Sequence, residues 1–249
     1  MSAHRTDSIQ STESEPTNPV RMFKRNISFL VCTVLLLNLI GYVMLSCDKA
    51  AVHLWLNGCH TPFLDSLFRH YTVVGEWIPY IVVFLLLFYK TGWATYLLGS
   101  VVVSGLLSQR LKYMFDTDRP YKWFAERYPD VQLPFVDGVE LSKYYSFPSG
   151  HTTTFFALFL CLSIVLTEYT AYRSTRHTFV KTTTISLGCF LLAVLGAYSR
   201  IYLSQHFLED IFGGMILGVV TTLLLYIPVP RLQPTRFWNW NFGQLRKPQ

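Results

Sequence analysis

The sequence predicts an all-α fold, a bundle of six transmembrane helices with a candidate active site on its outer face and an interfacial helix between spans one and two. Three observations carry this expectation. Of 249 residues, 51% are hydrophobic and only 14% charged, too apolar for an ordinary soluble domain. Charges bound six uncharged or nearly uncharged stretches, about 27–46, 73–89, 91–109, 152–167, 182–199 and 211–230. Short polar blocks bearing histidines, cations and a carboxylate stand at the ends of these stretches rather than inside them. Six such runs exceed what the core of a soluble enzyme of this size covers, which argues against buried helices of a soluble protein.

Residues 1–20 are rich in Ser, Thr, Glu and Pro without apolar period, and 1–26 are expected to form a disordered cytoplasmic lead. The first apolar stretch follows Arg21, Lys24 and Arg25 like a signal peptide. It is too long for one, and no small-x-small cleavage site follows, so an uncleaved span is expected. A hydrocarbon core about 30 Å thick takes about 20 helical residues, with about 17 still workable. Four stretches meet that length. The second contains Glu76 and the fourth ends at Glu168, so both must borrow flanking polar turns.

Between spans one and two, Thr61 can cap a helix with Pro62 in its first turn. Phe63, Leu64, Leu67, Phe68 and Tyr71 then form one apolar stripe, with Asp65, Ser66, Arg69 and His70 opposite. This is the pattern of a helix lying in the interface, either guiding a lipid toward the site or packing as a lid. The membrane domain covers 27–230, and 231–249 is expected to be a cytoplasmic tail. Cys32, Cys161 and Cys189 fall inside spans as small hydrophobes, while Cys47 and Cys59 share one outer connection and could pair.

With the amino terminus inside, the cytoplasmic segments hold 12 of the 21 basic residues, a modest positive-inside bias. Trp77, Tyr80, Trp93, Phe237, Trp238 and Trp240 fall where interfacial aromatic belts are expected. Lys112 follows span three, His151 opens span four, Arg200 closes span five and Asp210 opens span six. All four therefore emerge on one outer face. The net charge of +6 suits work beside anionic lipid, and no basic stripe with interleaved aromatics points to nucleic acid.

His206 and Asp210 stand four residues apart, which on a helix puts both on one face about 6 Å apart along the axis. The carboxylate can accept a hydrogen bond from one imidazole nitrogen and leave the other as a nucleophile. A polar pair plugging a helix end is the bland alternative. A metal reading lacks a third or fourth ligand of suitable spacing. Arg200, Arg119 and Lys112 supply countercharge for an oxyanion, the arginines as planar forks and the lysine as a point charge. Snorkelling toward headgroups accounts instead for Lys49, Arg69 or Arg127, and poorly for Arg119, which is fixed before Pro120. Ser149 can cap span four after Pro148, Gly150 permits close approach, and the free amides there form an anion site. His151 then stands where it can protonate a departing alkoxide.

Lys112-x6-Arg119-Pro120, Pro148-Ser149-Gly150-His151 and Ser199-Arg200-x5-His206-x3-Asp210 resemble the tripartite signature of the type 2 phosphatidic acid phosphatase superfamily, without departure at any signature position. The resemblance covers roughly residues 27–230, and the overall texture suggests a bacterial member. It implies a metal-independent mechanism, without cofactor, through a phosphohistidine on His206. Asp210 would orient that imidazole, and His151 would act as acid and then as base for water. Lys112, Arg119, Ser149, Gly150 and Arg200 would hold the phosphate oxygens.

The implied partner is a lipid phosphate in the bilayer of a bacterial inner membrane, with the site on the periplasmic face. A lipid A phosphate or undecaprenyl diphosphate is favoured as substrate, with phosphatidate or phosphatidylglycerophosphate next. In loop 113–147, Lys122, Arg127 and Lys143 could bind a second phosphate, but six acidic residues there offset them. A phosphotransferase using the same phosphohistidine is the alternative. A channel or transporter is disfavoured because the charges cluster at one face.

Overall fold

The structure, a computed structural model, describes residues 18–173 and 177–246. The expected disorder of 1–17 falls outside these residues. Pro19–Arg25 instead forms a short helix, α1, capped by the Asn18 side chain on the amide of Val20. Its Met22 is buried in the main core, and Arg25 Nη1 reaches Glu168 Oε2 at 2.6 Å, which ties the segment down.

The remaining helices are α2 (Ile27–Ser46), α3 (Lys49–Asn57), α4 (Pro62–Tyr89), α5 (Thr91–Phe115), α6 (Pro120–Arg127), α7 (Gly150–Arg173), α8 (Thr178–Tyr202), α9 (Leu208–Tyr226), α10 (Val229–Leu232) and α11 (Arg236–Asn239), before a final 3-10 turn. No strand occurs among the described residues. Among the described residues five helices are long and apolar enough to cross a membrane, and α4 adds a sixth if its two arms count as one span. The protein is an all-helical integral membrane protein.

Each long helix has a local reason. Helix α2 matches its apolar run residue for residue. Helix α7 extends past the apolar run 152–167 because Glu168, the charge expected to end it, is paired with Arg25. Phe155, Phe156, Leu158, Leu160 and Ile164 of α7 are all buried, on several sides of the helix, and it packs against α4, α5, α8 and α9 as the central helix.

Helix α4 begins as its sequence predicts, with Thr61 Oγ1 accepting from the Leu64 amide and Pro62 in the first turn. It then continues into the second apolar run with a 47° bend between Pro62–Val73 and Gly75–Tyr89. The apolar stripe of its first arm splits. Phe68 is buried against Tyr202 and Leu203, whereas Phe63 is exposed. At the opposite end of the bundle the carboxyl-terminal segment is packed down. Trp238 lies on Gly92 and against the Trp93 ring at 5.2 Å between centroids, so these two tryptophans are core residues rather than members of an interfacial belt. Cys47 and Cys59 are exposed free thiols.

Candidate active site

The polar blocks converge where α5 and α8 end and α7 and α9 begin. Helix α9 meets α7 closely at Gly214. A Cβ there would stand 2.7 Å from the Ser149 carbonyl and 2.9 Å from Thr152 Cβ, inside any ordinary contact. This approach lets the Ser149 amide donate to the Asp210 carbonyl at 3.0 Å, joining the first turns of the two helices through their backbones. Ser149 also caps α7, its Oγ accepting from the Thr152 hydroxyl at 3.0 Å and amide at 3.4 Å. A Cβ on Gly150 would meet only Ser108 Oγ at 3.7 Å, so packing alone does not demand glycine there.

His206 does not lie on the helix, as its spacing from Asp210 suggests. It sits in the connection 203–207, its amide donating to the Arg200 carbonyl at 3.2 Å, and only Asp210 occupies the first turn of α9. The pair meets all the same. Both are 1% exposed, and His206 Nδ1 lies 3.3 Å from Asp210 Oδ2. That oxygen also accepts from Ser146 Oγ at 2.5 Å and from the Phe207 amide at 2.8 Å. With Nδ1 engaged, Nε2 makes no hydrogen bond among the described residues and is the nitrogen available for chemistry. Burial, and then the charges of Arg119, Arg200 and Lys112, push His206 well below the usual histidine range, so the ring is held neutral with a lone pair.

Arg200, in the last turn of α8 and only 6% exposed, donates from Nη1 to Thr72 Oγ1 of α4. Its Nε is buried without a partner. Arg119 caps the start of α6 and is held by its Nε on the Tyr144 carbonyl at 3.1 Å and its Nη1 on Gln205 Oε1 at 3.0 Å. Among the described residues neither arginine forms an ion pair with a carboxylate. Lys112 lies in the last turn of α5 and makes no ion pair among the described residues. Three cations thus face a neutral imidazole, an arrangement that stabilises charge on a tetrahedral oxyanion.

His151, second residue of α7, hydrogen-bonds through Nε2 to Glu76 Oε1 at 2.8 Å. Glu76, Thr72, Ser146 and Gln205 were not singled out from the sequence. A carboxylate inside an apolar run is itself a signal of a functional site, so Glu76 was findable. The other three carry no such mark. Lys49 does not snorkel: it pairs with Glu209 at 2.5 Å and lies over the Phe207 ring at 3.8 Å. Lys122 is paired with Asp118 at 2.7 Å, which weakens it as a second phosphate ligand.

The family model described as the PAP2 superfamily matches residues 93–234. The chain is 32% identical over 181 residues to the lipid A 4'-phosphatase of Porphyromonas gingivalis, covering 70% of this chain and 69% of that one. It is 29% identical over 170 residues to phosphatidylglycerophosphatase B of Bacillus subtilis, covering 66% and 74%. Two solved structures share the fold at 22% identity. Aquifex aeolicus LpxE has a TM-score of 0.55, over 71% of this chain and 93% of that one. The phosphatidylglycerolphosphate phosphatase of Bacillus subtilis has a TM-score of 0.56, over 86% and 99%. On the family match and the relatives together, the chain belongs to the PAP2 superfamily, as a membrane lipid phosphatase of the bacterial type.

Proposed function

We propose that this lipid phosphatase hydrolyses the phosphate or diphosphate of an envelope lipid through a phosphohistidine on His206. The imidazole held by Asp210 at 3.3 Å, facing three cations that form no ion pair among the described residues, is the observation that carries this reading. His206 Nε2 attacks the terminal phosphorus, and the bond from that phosphorus to the departing oxygen of the lipid, or of the lipid phosphate in a diphosphate, breaks as the new N–P bond forms. His151 gives its proton to the departing oxygen, then takes one from a water that cleaves the N–P bond and releases inorganic phosphate. Asp210 holds His206 by Nδ1 and stabilises the charge it gains. Lys112, Arg119, Arg200, the Ser149 hydroxyl and the Gly150 amide hold the phosphate oxygens.

A lipid A phosphate is the favoured substrate, supported by the 32% identity to a lipid A 4'-phosphatase. Undecaprenyl diphosphate stands beside it, and phosphatidate and phosphatidylglycerophosphate follow. We read α4 as one bent span, giving six, with the arm Pro62–Val73 lying in the interface. The site then faces the periplasm from a bacterial inner membrane. Purified protein assayed on these lipids in excess chelator is expected to release inorganic phosphate and to be inhibited by vanadate. Chelation that abolishes turnover, restored by zinc or magnesium, would overturn the phosphohistidine reading. A phosphorylated acceptor in place of free phosphate would make the chain a phosphotransferase.

A further inference from the structure

The two histidines are held in opposite ways. Asp210 engages Nδ1 of His206 and leaves Nε2 open, whereas Glu76 engages Nε2 of His151 and leaves Nδ1 open. We propose that Glu76 is a positioning residue for His151, fixing its ring by Nε2 and sustaining the protonated form in which Nδ1–H faces the departing oxygen. This rests on the phosphatase mechanism above, and nothing in the family signature includes residue 76.

The placement of Glu76 is built into the fold. Helix α4 bends between Val73 and Gly75, and at Gly75 it closes onto α7. A Cβ at Gly75 would stand 2.1 Å from Phe155 Cζ, so only glycine admits this approach, and the next residue is delivered to the first turn of α7. Thr72 and Glu76, four apart and on one helical face, then hold Arg200 and His151 respectively. One short stretch of α4 therefore orders both a phosphate-facing cation and the acid.

Electrostatics supplies the need. The charged and titratable groups around His151 are Lys112 of α5, Arg119 at the start of α6, Arg200 of α8 and His206 before α9. All are cationic or neutral, and their field opposes an imidazolium. An acid must nevertheless begin each turnover protonated. Glu76 of α4 is the one carboxylate among the described residues hydrogen-bonded to this ring. An adjacent carboxylate favours the imidazolium. After Nδ1 has given up its proton, the Nε2–H to Glu76 fixes the tautomer, and Nδ1 is left as the base for water.

The test pairs a direct titration with a leaving-group comparison. Histidine-labelled protein in lipid nanodiscs is titrated by NMR, with the His151 resonance assigned from His151→Gln, in wild type, Glu76→Gln and Glu76→Asp. Glu76→Gln is expected to lower the His151 midpoint by about one unit or more, and Glu76→Asp to recover part of the shift. In the same Glu76→Gln protein, lipid phosphate turnover is expected to fall about tenfold or more, since general acid help is worth about 10²–10⁴-fold. Alkali-stable labelling from an activated aryl phosphate, whose leaving group departs without a proton, is expected to persist. A midpoint unmoved in both variants overturns the pairing. A shifted midpoint with equal loss on lipid and aryl substrates overturns the role as positioner of the acid. Wild-type protein that releases phosphate from no lipid would fail the proposed function instead, while the titration would still decide whether Glu76 governs His151.

Discussion

The Ser149 amide donates a 3.0 Å hydrogen bond to the carbonyl of Asp210, so the helix that opens with His151 and the helix that follows His206 are joined backbone to backbone. The distance between His151 and His206, the proposed acid and nucleophile, is thereby set by main chain, and it depends on the bare Cα of Gly214. Gly214→Ala is expected to push α9 away from the Ser149 carbonyl at a stability cost of about 1–3 kcal/mol. Activity should fall further, by about 10²-fold, because displacement of reacting groups by about 1 Å costs that much. Gly99→Ala, with open space at its Cβ, is the control and should be neutral or slightly stabilising. Melting temperature and phosphate release measured on both variants check the contrast.

Ser146 offers a finer probe of the same dyad. Its hydroxyl donates to Asp210 Oδ2 at 2.5 Å inside a closed pocket. A hydrogen bond to a charged group contributes about 1.5–3 kcal/mol, so Ser146→Ala should lower kcat by about 10–100-fold. KM should change little, since the hydroxyl is committed to the carboxylate rather than to substrate. A KM effect larger than the kcat effect would reassign Ser146 to substrate binding.

Acid sensitivity should come in part from a third histidine. His53 of α3 is buried between the rings of Phe124 and Phe207, both its nitrogens lack hydrogen bonds, and burial lowers it to about 4. The unfolded chain takes up a proton near the ordinary histidine value of about 6.5, while the folded protein does not until about 4. Below pH 6.5 the unfolded state therefore binds more protons, and stability is lost as pH falls. The window between the two values corresponds to about 3 kcal/mol. His53→Leu removes the titrating group and should flatten the fall of melting temperature between pH 6.5 and 4, which thermal melts across that range would show.

Much of this site was legible from helix ends. Lys112, Ser149, His151, Arg200 and Asp210 each end or begin an apolar run, and alternation of direction brings such ends to one side of the bundle. Arg119 followed from its place before Pro120. Glu76 was not recognised because an acid in an apolar run reads first as an interruption. Whether it faces lipid or the site depends on the rotation of α4, which the Gly75–Phe155 contact decides. Likewise the i, i+4 spacing of His206 and Asp210 suggested one helix face, but the chain leaves α8 at Tyr202 and passes Ser204 in the left-handed region, φ 52°, before α9 begins. The carboxylate reaches the ring from the first turn of α9. The helix at Pro19–Arg25 was hidden because its stability comes from Met22 in a distant core and from Arg25 on Glu168, neither visible in local composition.

The central claim is that His206 carries the phosphoryl group and His151 the proton, and labelling with an activated aryl phosphate, quenched in alkaline denaturant to preserve the acid-labile N–P bond, tests it most directly. Wild-type protein should show transient label, His206→Ala none with any substrate, and His151→Ala a label that forms and then accumulates because the second step has lost its base. Label retained in His206→Ala would contradict the assigned nucleophile. Equal and complete loss in both variants would show that His151 serves binding or folding instead, and the division of roles between the two histidines would fall.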